Sequence, residues 1–336
     1  MSGRKRFHAL VDGFASRRVV LYGDLVVDRF VLGTPKRISR EAPVIILRFE
    51  GQRDFPGGGA NALANVASLG GTVLPVGVVG DDEAGGALLA DLAARGVDTS
   101  RIAVLPGFRT VTKVRIVAGG PASLKHQVAR YDVEDHLPEG DGWRRELLEH
   151  LAAACADAGA AAVSDYGYGV VTREGVARLR QALPAGAPVV ADSRFALTAL
   201  GPVDGATPNL EELEAATGTH AHGGAAVAAA AEALRRQLAA RFVAATRGRE
   251  GITVVEEGNE PLHLPVFGTD QVADVTGAGD TVLATLTLAL AAGATAAEAA
   301  TIANLAGGVV VTKLGTATVS PAELHGAIDA APFIHG

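Results

Sequence analysis

The sequence predicts an α/β fold in which a doubly wound, mainly parallel sheet carries a small β lid. Two observations predict the sheet. Short apolar strands alternate with helices of ten residues or more, and 48% of the residues are hydrophobic, enough to cover both faces of a sheet. The lid is predicted because two strand-like stretches follow their neighbours without an intervening helix. We expect residues 1–336 to form a single domain.

The elements of the main sheet are predicted in chain order from these patterns. The predicted strands are Arg18–Tyr22, Val73–Val79, Ala160–Val163, Val189–Ala191 and Phe242–Ala245. The predicted helices are Asn61–Leu69, Glu83–Ala94, Glu174–Leu183, one beginning near Asn209, and the Ala-rich Ala225–Ala240. A further helix is predicted in the 17 uncharged residues between Asp280 and Glu298. This run is shorter than a membrane span and contains four threonines, which favours a helix buried inside the domain.

The lid is predicted from residues of about 31–55 and 108–132. Its strands are expected at Val44–Phe49, Thr110–Val117 and Val128–Asp132. Polar and apolar residues alternate in Thr110–Val117, a pattern typical of a half-exposed antiparallel strand. Such a lid is expected to cover a substrate, to pair with another subunit, or to do both.

Charge and cysteine content exclude several classes of protein. The net charge is −7 and the Lys and Arg residues are scattered, which argues against a nucleic-acid partner. Cys155 is the single cysteine, so an intramolecular disulfide and a cysteine-based zinc site are both excluded. No apolar signal segment follows the basic N-terminal residues before Asp12. We therefore expect a cytoplasmic protein without a membrane partner.

The segment Asp274-Val-Thr-Gly-Ala-Gly-Asp280 carries the strongest chemical signal. A glycine-rich turn that leads directly into a helix leaves backbone N–H groups unpaired at the positive end of the helix dipole, which suits anion binding. Gly277 and Gly279 allow the backbone to approach that anion closely. Asp280 is poorly placed there as a simple cap but well placed as a general base for an attacking hydroxyl. The chain contains neither a Walker A motif nor a strand-linked dinucleotide fingerprint.

A second glycine-rich cluster, Pro56-Gly-Gly-Gly-Ala-Asn61, also leads into a predicted helix. Its glycines permit close backbone approach, and Asn61 adds a side-chain donor and acceptor. Asp24 follows the first strand at its carboxyl end, where open α/β sheets bind their ligands. Its carboxylate is a candidate for holding two hydroxyl groups of a ligand, although Asp also forms turns at such positions.

At these residues the sequence resembles the ribokinase-like (PfkB) carbohydrate kinases. Gly57–Asn61 resembles the N-terminal signature of that family and Asp274–Asp280 its C-terminal signature. The resemblance extends from about Val19 to Ile328. It implies a ribokinase-like fold and ATP-dependent transfer of the γ-phosphoryl group to a hydroxyl of a small sugar or sugar phosphate.

The resemblance also implies a role for each matching residue. Asp280 would be the catalytic base, and the anion hole for the transferred phosphoryl group would be formed by Gly277, Ala278 and Gly279. Substrate is expected to contact Asp24, Gly58, Asn61, Arg115, Arg130 and Asp165. ATP is expected to contact Asn209, Thr246, Gly248, Gly251 and Asn304.

Two cations are implied by the same resemblance. Glu212 belongs to an Asn-x-x-Glu element beginning at Asn209 and is expected to hold Mg²⁺ through water. Asn followed three residues later by Glu is also an ordinary helix-capping pattern. Asp274 and the carbonyl group of Thr276 resemble part of a site for a monovalent cation such as K⁺.

Within the family, the sequence is most similar to the D-glycero-β-D-manno-heptose-7-phosphate kinase branch, the kinase half of the ADP-heptose synthesis protein. The similar stretches are Arg37–Val44, Thr112–Arg115, Gln127–Asp132, Ser164–Tyr166, Lys313–Thr316 and Val319–Pro321. This similarity implies heptose 7-phosphate as acceptor and a homodimer formed through the lid. Because the sequence stops at Gly336, we expect no nucleotidyltransferase domain.

A phosphorylated acceptor requires cationic groups that converge on its phosphate. The candidates are Arg37, Lys113, Arg115, Arg130 and Arg194. Two positions depart from the heptose branch: Tyr168 stands near an expected lysine, and Asp192-Ser-Arg194 replaces an expected Asp-Pro-Lys. Other acceptors therefore stay open, among them fructose, ribose, a hexose phosphate and a nucleoside. A non-catalytic sugar- or nucleotide-binding protein on the same fold is the alternative from another class.

Overall fold

The computed structural model describes residues 3–119, 126–268, 273–313 and 315–332. The strands in these ranges are β1 Arg18–Gly23, β2 Leu25–Ile38, β3 Ile45–Gly58, β4 Thr72–Gly80, β5 Ile102–Leu105, β6 Thr112–Ala118, β7 His126–Val133, β8 Ala160–Asp165, β9 Val189–Ser193, β10 Gly205–Ala206, β11 Phe242–Thr246, β12 Ile252–Glu256 and β13 Leu262–Leu264. The α-helices are α1 Gly3–Asp12, α2 Gly59–Ser68, α3 Glu83–Ala94, α4 Gly142–Cys155, α5 Arg173–Ala182, α6 Leu210–Thr217, α7 Gly224–Leu238, α8 Ala278–Ala291, α9 Ala296–Val310 and α10 Pro321–Ala330.

The larger sheet confirms the predicted doubly wound, mainly parallel architecture. Its strand order is β13-β12-β11-β10-β9-β8-β1-β4-β5, and the pairs from β11 to β5 are all parallel. Only β12 and β13 run antiparallel to their neighbours, at one edge. Two separate apolar clusters cover the sheet, one packing Leu63 of α2 and Leu286 of α8, the other packing Leu151 of α4 and Leu234 of α7.

The order in which strands are added to the sheet reverses at β1, which pairs in parallel with β4 on one side and with β8 on the other. Ligands of open α/β sheets bind beyond the carboxyl ends of the strands at such a switch point. Here Gly23 of β1 lies beside Ser164 of β8, so Asp24 and Asp165 emerge next to one another. The backbone N–H of Asp24 donates to the carbonyl oxygen of Ser164 at 3.0 Å.

The second sheet has the strand order β3-β2-β6-β7 and contains the strands expected at 44–49, 110–117 and 128–132. Sequence analysis missed β2, whose apolar pattern is interrupted by Gly33 and Pro35. β2 and β3 pair from Leu25 opposite Gly58, so both run beyond the expected limits of 31 and 55.

The expectation that the stretch 110–117 is half-exposed was wrong. β6 pairs with β2 on one side and β7 on the other, and it is almost entirely buried. Thr112, Lys113 and Arg115 are 3%, 6% and 8% exposed. Their alternation with apolar residues therefore reflects polar groups directed into the protein rather than into solvent.

The first part of the uncharged run after Asp280 is buried, as predicted, whereas residues 290–297 are mostly half-buried or exposed. The run spans two helices. α8 carries ten buried residues from Asp280 to Ala289, and the chain turns at Gly293 before α9. Thr295 and Glu298 form a capping box that begins α9. Within the described residues, no helix combines the length and apolarity that a membrane crossing requires.

Tyr22, at the end of β1, holds the loop that follows β8. Its hydroxyl donates to the carbonyl oxygen of Val170 at 2.5 Å and accepts from the backbone N–H of Thr172 at 3.2 Å, and the residue is 1% exposed. We predict that Tyr22→Phe lowers the free energy of unfolding by about 1–3 kcal/mol, because two buried backbone groups lose their partner. Urea denaturation measures the loss.

Tyr168→Phe is the matched control, because the Tyr168 hydroxyl donates to Oε1 of Glu134 in an exposed hydrogen bond. Its free energy of unfolding is expected to stay within about 0.5 kcal/mol of the wild type. Equal stability of Tyr22→Phe and the wild type would contradict the role given to this hydroxyl.

Candidate active site

Asp280 lies in the first turn of α8 and is 2% exposed. Its Oδ2 accepts a hydrogen bond from Nδ2 of Asn61 at 3.1 Å, and its Oδ1 accepts one from the Tyr166 hydroxyl at 2.8 Å. Burial raises the pKa of Asp280 to about 7, and the two hydrogen bonds offset part of that rise. A carboxyl group with a pKa near neutrality can accept a proton at physiological pH.

Gly277 is the position where this site requires glycine. Its φ of 78° lies in the left-handed region, and a Cβ there would lie 2.3 Å from Nδ2 of Asn61. The same Nδ2 donates to the carbonyl oxygen of Gly277 at 3.1 Å. Any side chain at 277 would therefore displace a hydrogen-bond donor of Asp280.

The start of α8 offers backbone donors to an anion. No side chain caps this end of the helix, and among the described residues the backbone N–H groups of Gly277, Gly279 and Asp280 have no protein acceptor. The N–H of Ala278, which was expected to share in the anion hole, instead donates to the carbonyl oxygen of Val275 at 3.3 Å. Unpaired N–H groups at a helix N-terminus are well suited to phosphate.

Asp24 organises the loop after β8 rather than lining a cavity. Its Oδ2 accepts from the backbone N–H groups of Tyr166 at 2.7 Å and Tyr168 at 3.2 Å, and its Oδ1 accepts from that of Val170 at 3.3 Å. Asp24 is 1% exposed, and burial raises its pKa to about 6. The oxygens of the Asp24 carboxylate thus accept hydrogen bonds from the loop that carries Tyr166, and the expected role of Asp24 in binding substrate hydroxyl groups stays a prediction.

Three cavities form one continuous cleft at this edge of the main sheet. The central cavity, of about 460 Å³, is lined by Asp165, Asp192, Glu212, Gly277 and Asp280. The apolar cavity, of about 630 Å³, shares Asn209, Glu211, Thr246 and Gly279 with it. The lid cavity, of about 850 Å³, shares Tyr166, Arg194 and Phe195 with it. The central cavity, which Asp280 lines, is therefore adjacent to both outer cavities.

The apolar cavity brings together all five residues predicted to contact ATP, Asn209, Thr246, Gly248, Gly251 and Asn304. Its walls include Ile252, Val266, Val275, Val282 and Val311, with Gly248, Gly251 and Asn304. Nδ2 of Asn304 donates to the carbonyl oxygen of Pro265 at 2.7 Å. A mainly apolar pocket with a few fixed polar groups is typical of sites for planar organic ligands.

The central cavity concentrates carboxylates. Asn209 and Glu212 form a capping box at the start of α6, each side chain bonded to the backbone N–H of the other at 2.9 Å. Burial, then the charges of Glu212 and Asp280, raise the pKa of Asp192 well above its ordinary value. Burial also raises the pKa of Glu212. Among the described residues, no three His, Cys, Asp or Glu side chains are placed to hold a metal by themselves.

Asp165 lines the central cavity, but both of its oxygens already accept hydrogen bonds. Oδ1 accepts from the backbone N–H of Gly167 at 3.0 Å and Oδ2 from the Ser193 hydroxyl at 2.6 Å. Asp274 is similarly occupied, accepting from the N–H groups of Thr276 at 2.9 Å and Gly315 at 3.1 Å. Both carboxylates therefore hold loops, and the monovalent-cation site at Asp274 and Thr276 stays a prediction.

The arginines predicted to bind a substrate phosphate do not all lie in the same cavity. Arg130 lines the lid cavity and pairs with Asp132 at 2.6 Å, whereas Arg115 pairs with the buried Asp28 and lines none of the three cavities. Arg194 lines both the central and lid cavities, and no ion pair to it is found among the described residues.

Three predicted residues remain: Lys113 and Gly58 lie at the ring of Tyr166, and Arg37 lies at the far end of β2. Nζ of Lys113 lies 4.4 Å from the centroid of that ring. A Cβ on Gly58 would lie 3.1 Å from Cε2 of the same ring, so Gly58 packs behind it. Arg37 is exposed, and its guanidinium donates to the carbonyl oxygen of Ile38 at 3.5 Å.

Sequence reasoning missed two residues of the central cavity, Tyr166 and Asp192. Both belong to stretches noted for their similarity to, or departure from, a kinase branch, but neither was assigned a role. Their positions in the sequence could have identified them as site residues. Tyr166 follows the carboxyl end of β8 and Asp192 lies near the carboxyl end of β9, and ligands of open α/β sheets bind at such ends.

Comparison with known proteins places the chain among kinases. Residues 16–323 match the model described as pfkB family carbohydrate kinase. The chain is 41% identical over 323 residues to the bifunctional protein HldE of Halorhodospira halophila, covering 96% of this chain and 65% of that protein. It is 41% identical over 326 residues to the HldE protein of Caulobacter vibrioides, covering 94% and 64%. The chain thus spans less than two thirds of the length of these relatives.

Two solved structures share the fold at low sequence identity. Arabidopsis thaliana ribokinase, complexed with ribose and ATP, superposes with a TM-score of 0.72 at 20% identity, over 94% of this chain and 99% of that one. Escherichia coli phosphofructokinase-2 in complex with potassium gives 0.76 at 20% identity, over 93% and 98%. The fold is therefore ribokinase-like.

The raised pKa of Asp280 predicts a pH-dependent cost to stability. Because its folded pKa of about 7 exceeds the unfolded value, the bound proton stabilises the fold, and this contribution is lost as pH rises through the folded pKa. Between pH 5.5 and 8.5 we expect the free energy of unfolding of the wild type to fall by about 2 kcal/mol more than that of Asp280→Asn.

Urea denaturation at several pH values measures this difference, with Asp157→Asn, at an exposed position, as the matched control. The control is expected to follow the wild type. If Asp280→Asn and the wild type lost stability in parallel, the assignment of a raised pKa to this carboxyl group would be wrong.

Proposed function

The chain belongs to the pfkB family of carbohydrate kinases, enzymes that phosphorylate sugars with ATP, and we propose that its acceptor is heptose 7-phosphate, with heptose 1,7-bisphosphate as product. The observation that carries the proposal is the position of Asp280. A buried carboxyl group with a pKa near 7 lies at the N-terminus of α8 and lines the central cavity, which shares lining residues with each of the two outer cavities.

We propose one orientation of ATP in the cleft, based on the residues that line each cavity. Its adenosine occupies the apolar cavity against Asn304 and the valines, and its phosphates extend past Thr246 and Gly279 into the central cavity. The γ-phosphoryl group then meets the unpaired N–H groups at the start of α8, and the sugar enters from the lid cavity. Asp280 lies between the two substrates.

The transfer step uses the protein's own groups. The acceptor hydroxyl oxygen attacks the γ-phosphorus, the bond from that phosphorus to the β–γ bridging oxygen breaks, and ADP leaves. Asp280 takes the hydroxyl proton, while Asn61 fixes the second carboxylate oxygen. The N–H groups of Gly277 and Gly279 stabilise the charge on the transferred group.

The carboxylates of the central cavity fit a bound Mg²⁺. Asp192 and Glu212 face the same space with raised pKa values, and each is destabilised as an anion until a cation enters. Mg²⁺ is usually held by one or two carboxylates together with water and substrate phosphates. We propose that Asp192 and Glu212 hold it, Glu212 through water. When bound, the ion would neutralise charge on the phosphates of ATP.

The choice of heptose 7-phosphate rests on sequence similarity and on the lid cavity. The segments noted above resemble the heptose-7-phosphate kinase branch, and the curated relatives at about 40% identity carry the name HldE. The lid cavity, of about 850 Å³, has room for a phosphorylated sugar. Arg130 is neutralised by Asp132, so we propose that Arg194 supplies the main charge for the sugar's own phosphate.

We also propose a homodimer that forms through the second sheet. The strand register places Phe49 and Tyr131 on one face of this sheet and Lys113 and Arg130 on the opposite face. Ile38, Phe49 and Tyr131 are 71%, 67% and 56% exposed, which leaves an apolar surface on the face directed away from the cleft. Exposed apolar patches of this kind commonly mark protein interfaces.

The first test is ADP release with Mg²⁺ and ATP across a panel of acceptors: heptose 7-phosphate, sedoheptulose 7-phosphate, fructose, fructose 6-phosphate, ribose and adenosine. We predict turnover with heptose 7-phosphate and a loss of at least about 100-fold in kcat for Asp280→Asn, because the general base is removed. Asp157→Asn, at an exposed position, is expected to retain wild-type kcat.

Each other outcome rejects part of the proposal. Turnover confined to another sugar would reject heptose 7-phosphate and keep the role of Asp280. ATP and sugar binding without ADP release would favour the non-catalytic alternative. Near-normal kcat in Asp280→Asn would reject the general base.

The dimer predicts a mass in solution of twice the 34.1 kDa of one chain. Light scattering after size exclusion measures it, and Phe49→Glu is expected to give a monomer because it places a charge in the apolar surface. Val104→Glu, at a 46% exposed position on β5 of the other sheet, is the control that should stay dimeric. A monomeric wild type would contradict the proposal.

A further inference from the structure

Tyr166 contacts the proposed base directly, and no role in the transfer step has yet been assigned to it. Its hydroxyl donates to Oδ1 of Asp280 at 2.8 Å, while Nδ2 of Asn61 donates to Oδ2 at 3.1 Å. Asp280 thus has one side-chain donor on each oxygen. Each carboxylate oxygen can accept a second hydrogen bond, so both donors are compatible with an approaching acceptor hydroxyl.

The phenol is held in place from three sides. The backbone N–H of Tyr166 donates to Oδ2 of Asp24 at 2.7 Å, Nζ of Lys113 lies 4.4 Å from the ring centroid, and a Cβ on Gly58 would lie 3.1 Å from Cε2. Burial raises the pKa of the phenol well above its ordinary value, so the group keeps its proton. Tyr166 is therefore a fixed hydrogen-bond donor rather than a second base.

We infer that Tyr166 is a positioning residue that orients the Asp280 carboxylate toward the acceptor hydroxyl and stabilises its ionised form. The inference rests on the proposed role of Asp280 as general base. Tyr166 lines both the central and the lid cavity, so the donor stands where the sugar would meet the carboxylate. A hydrogen bond to a charged group favours the charged form.

Other charged groups also face Asp280. Asp28 of β2 opposes its ionisation and Lys113 of β6 favours it. Asp192 of β9 and Asp280 oppose each other's ionisation. Tyr166→Phe leaves all three in place and keeps the aromatic ring. The substitution therefore isolates the hydroxyl.

The test is the pH dependence of kcat/KM for Tyr166→Phe on the acceptor that the wild type turns over. Without the hydroxyl, the carboxylate is less stable and protonates more readily. The acid limb is therefore expected to move up by about one pH unit, the size expected for one hydrogen bond to a charged group. At pH 6.5 the variant should then lose several-fold more activity than at pH 8.5.

Tyr168→Phe is the matched control, because its hydroxyl donates to Glu134 at 3.1 Å and does not touch Asp280. Its acid limb is expected to coincide with that of the wild type. An equal loss of kcat/KM at every pH in Tyr166→Phe, with the limb unmoved, would overturn the inference and leave the tyrosine a purely structural part of the cleft.

A second readout separates this inference from the proposed function. Urea denaturation across the same pH range follows the ionisation of Asp280 without any substrate. In Tyr166→Phe the pH-dependent fall in stability should continue to a pH about one unit higher than in the wild type. If no acceptor on the panel were phosphorylated, the proposed function would be rejected. The stability measurement would still test Tyr166, because a pH profile of unfolding identical to that of the wild type would reject its role.

Discussion

The arrangement of the site depends on the burial of one carboxylate, that of Asp280. A carboxylate removed from water is costly as an anion, and here two uncharged donors compensate, Asn61 and Tyr166. The result is a group with a pKa of about 7 in place of a permanently charged one. Each donor comes from a different part of the chain, so the arrangement exists only in the complete fold.

The second sheet is connected directly to both donors. β2 begins immediately after Asp24, the residue whose carboxylate fixes the backbone of Tyr166, and β3 ends at Gly58, immediately before the helix that carries Asn61. β6, paired with β2, places Lys113 against the ring of Tyr166. Under the proposed function, a substrate that contacts this sheet would touch the elements that hold Asp280. Specificity for the acceptor and orientation of Asp280 would then depend on the same strands.

Local sequence patterns predicted the elements but only part of the site. The alternation of apolar strands with helices predicted five of the nine strands of the main sheet, and it missed the short or edge strands β5, β10, β12 and β13. The glycine-rich segment before Asp280 predicted the N-terminus of α8. β2 was missed because Gly33 and Pro35 interrupt its pattern. The buried state of Thr112, Lys113 and Arg115 could not be inferred, since polar alternation on a strand has the same form whether the polar face meets solvent or a cleft. The bonds of Asp24 and Tyr166 depend on loop geometry, which short-range patterns do not specify.

The most direct measurement is a crystal structure of the ternary complex with a non-hydrolysable ATP analogue and the accepted sugar. The account predicts that the acceptor hydroxyl oxygen lies within about 3.2 Å of an Asp280 carboxylate oxygen, the reach required of a general base. It also predicts that this oxygen lies in line with the terminal phosphorus, and that the terminal phosphate rests on the N–H groups at the start of α8. An acceptor hydroxyl bound instead to Asp24, Asp165 or Asp192, with Asp280 out of reach, would contradict it.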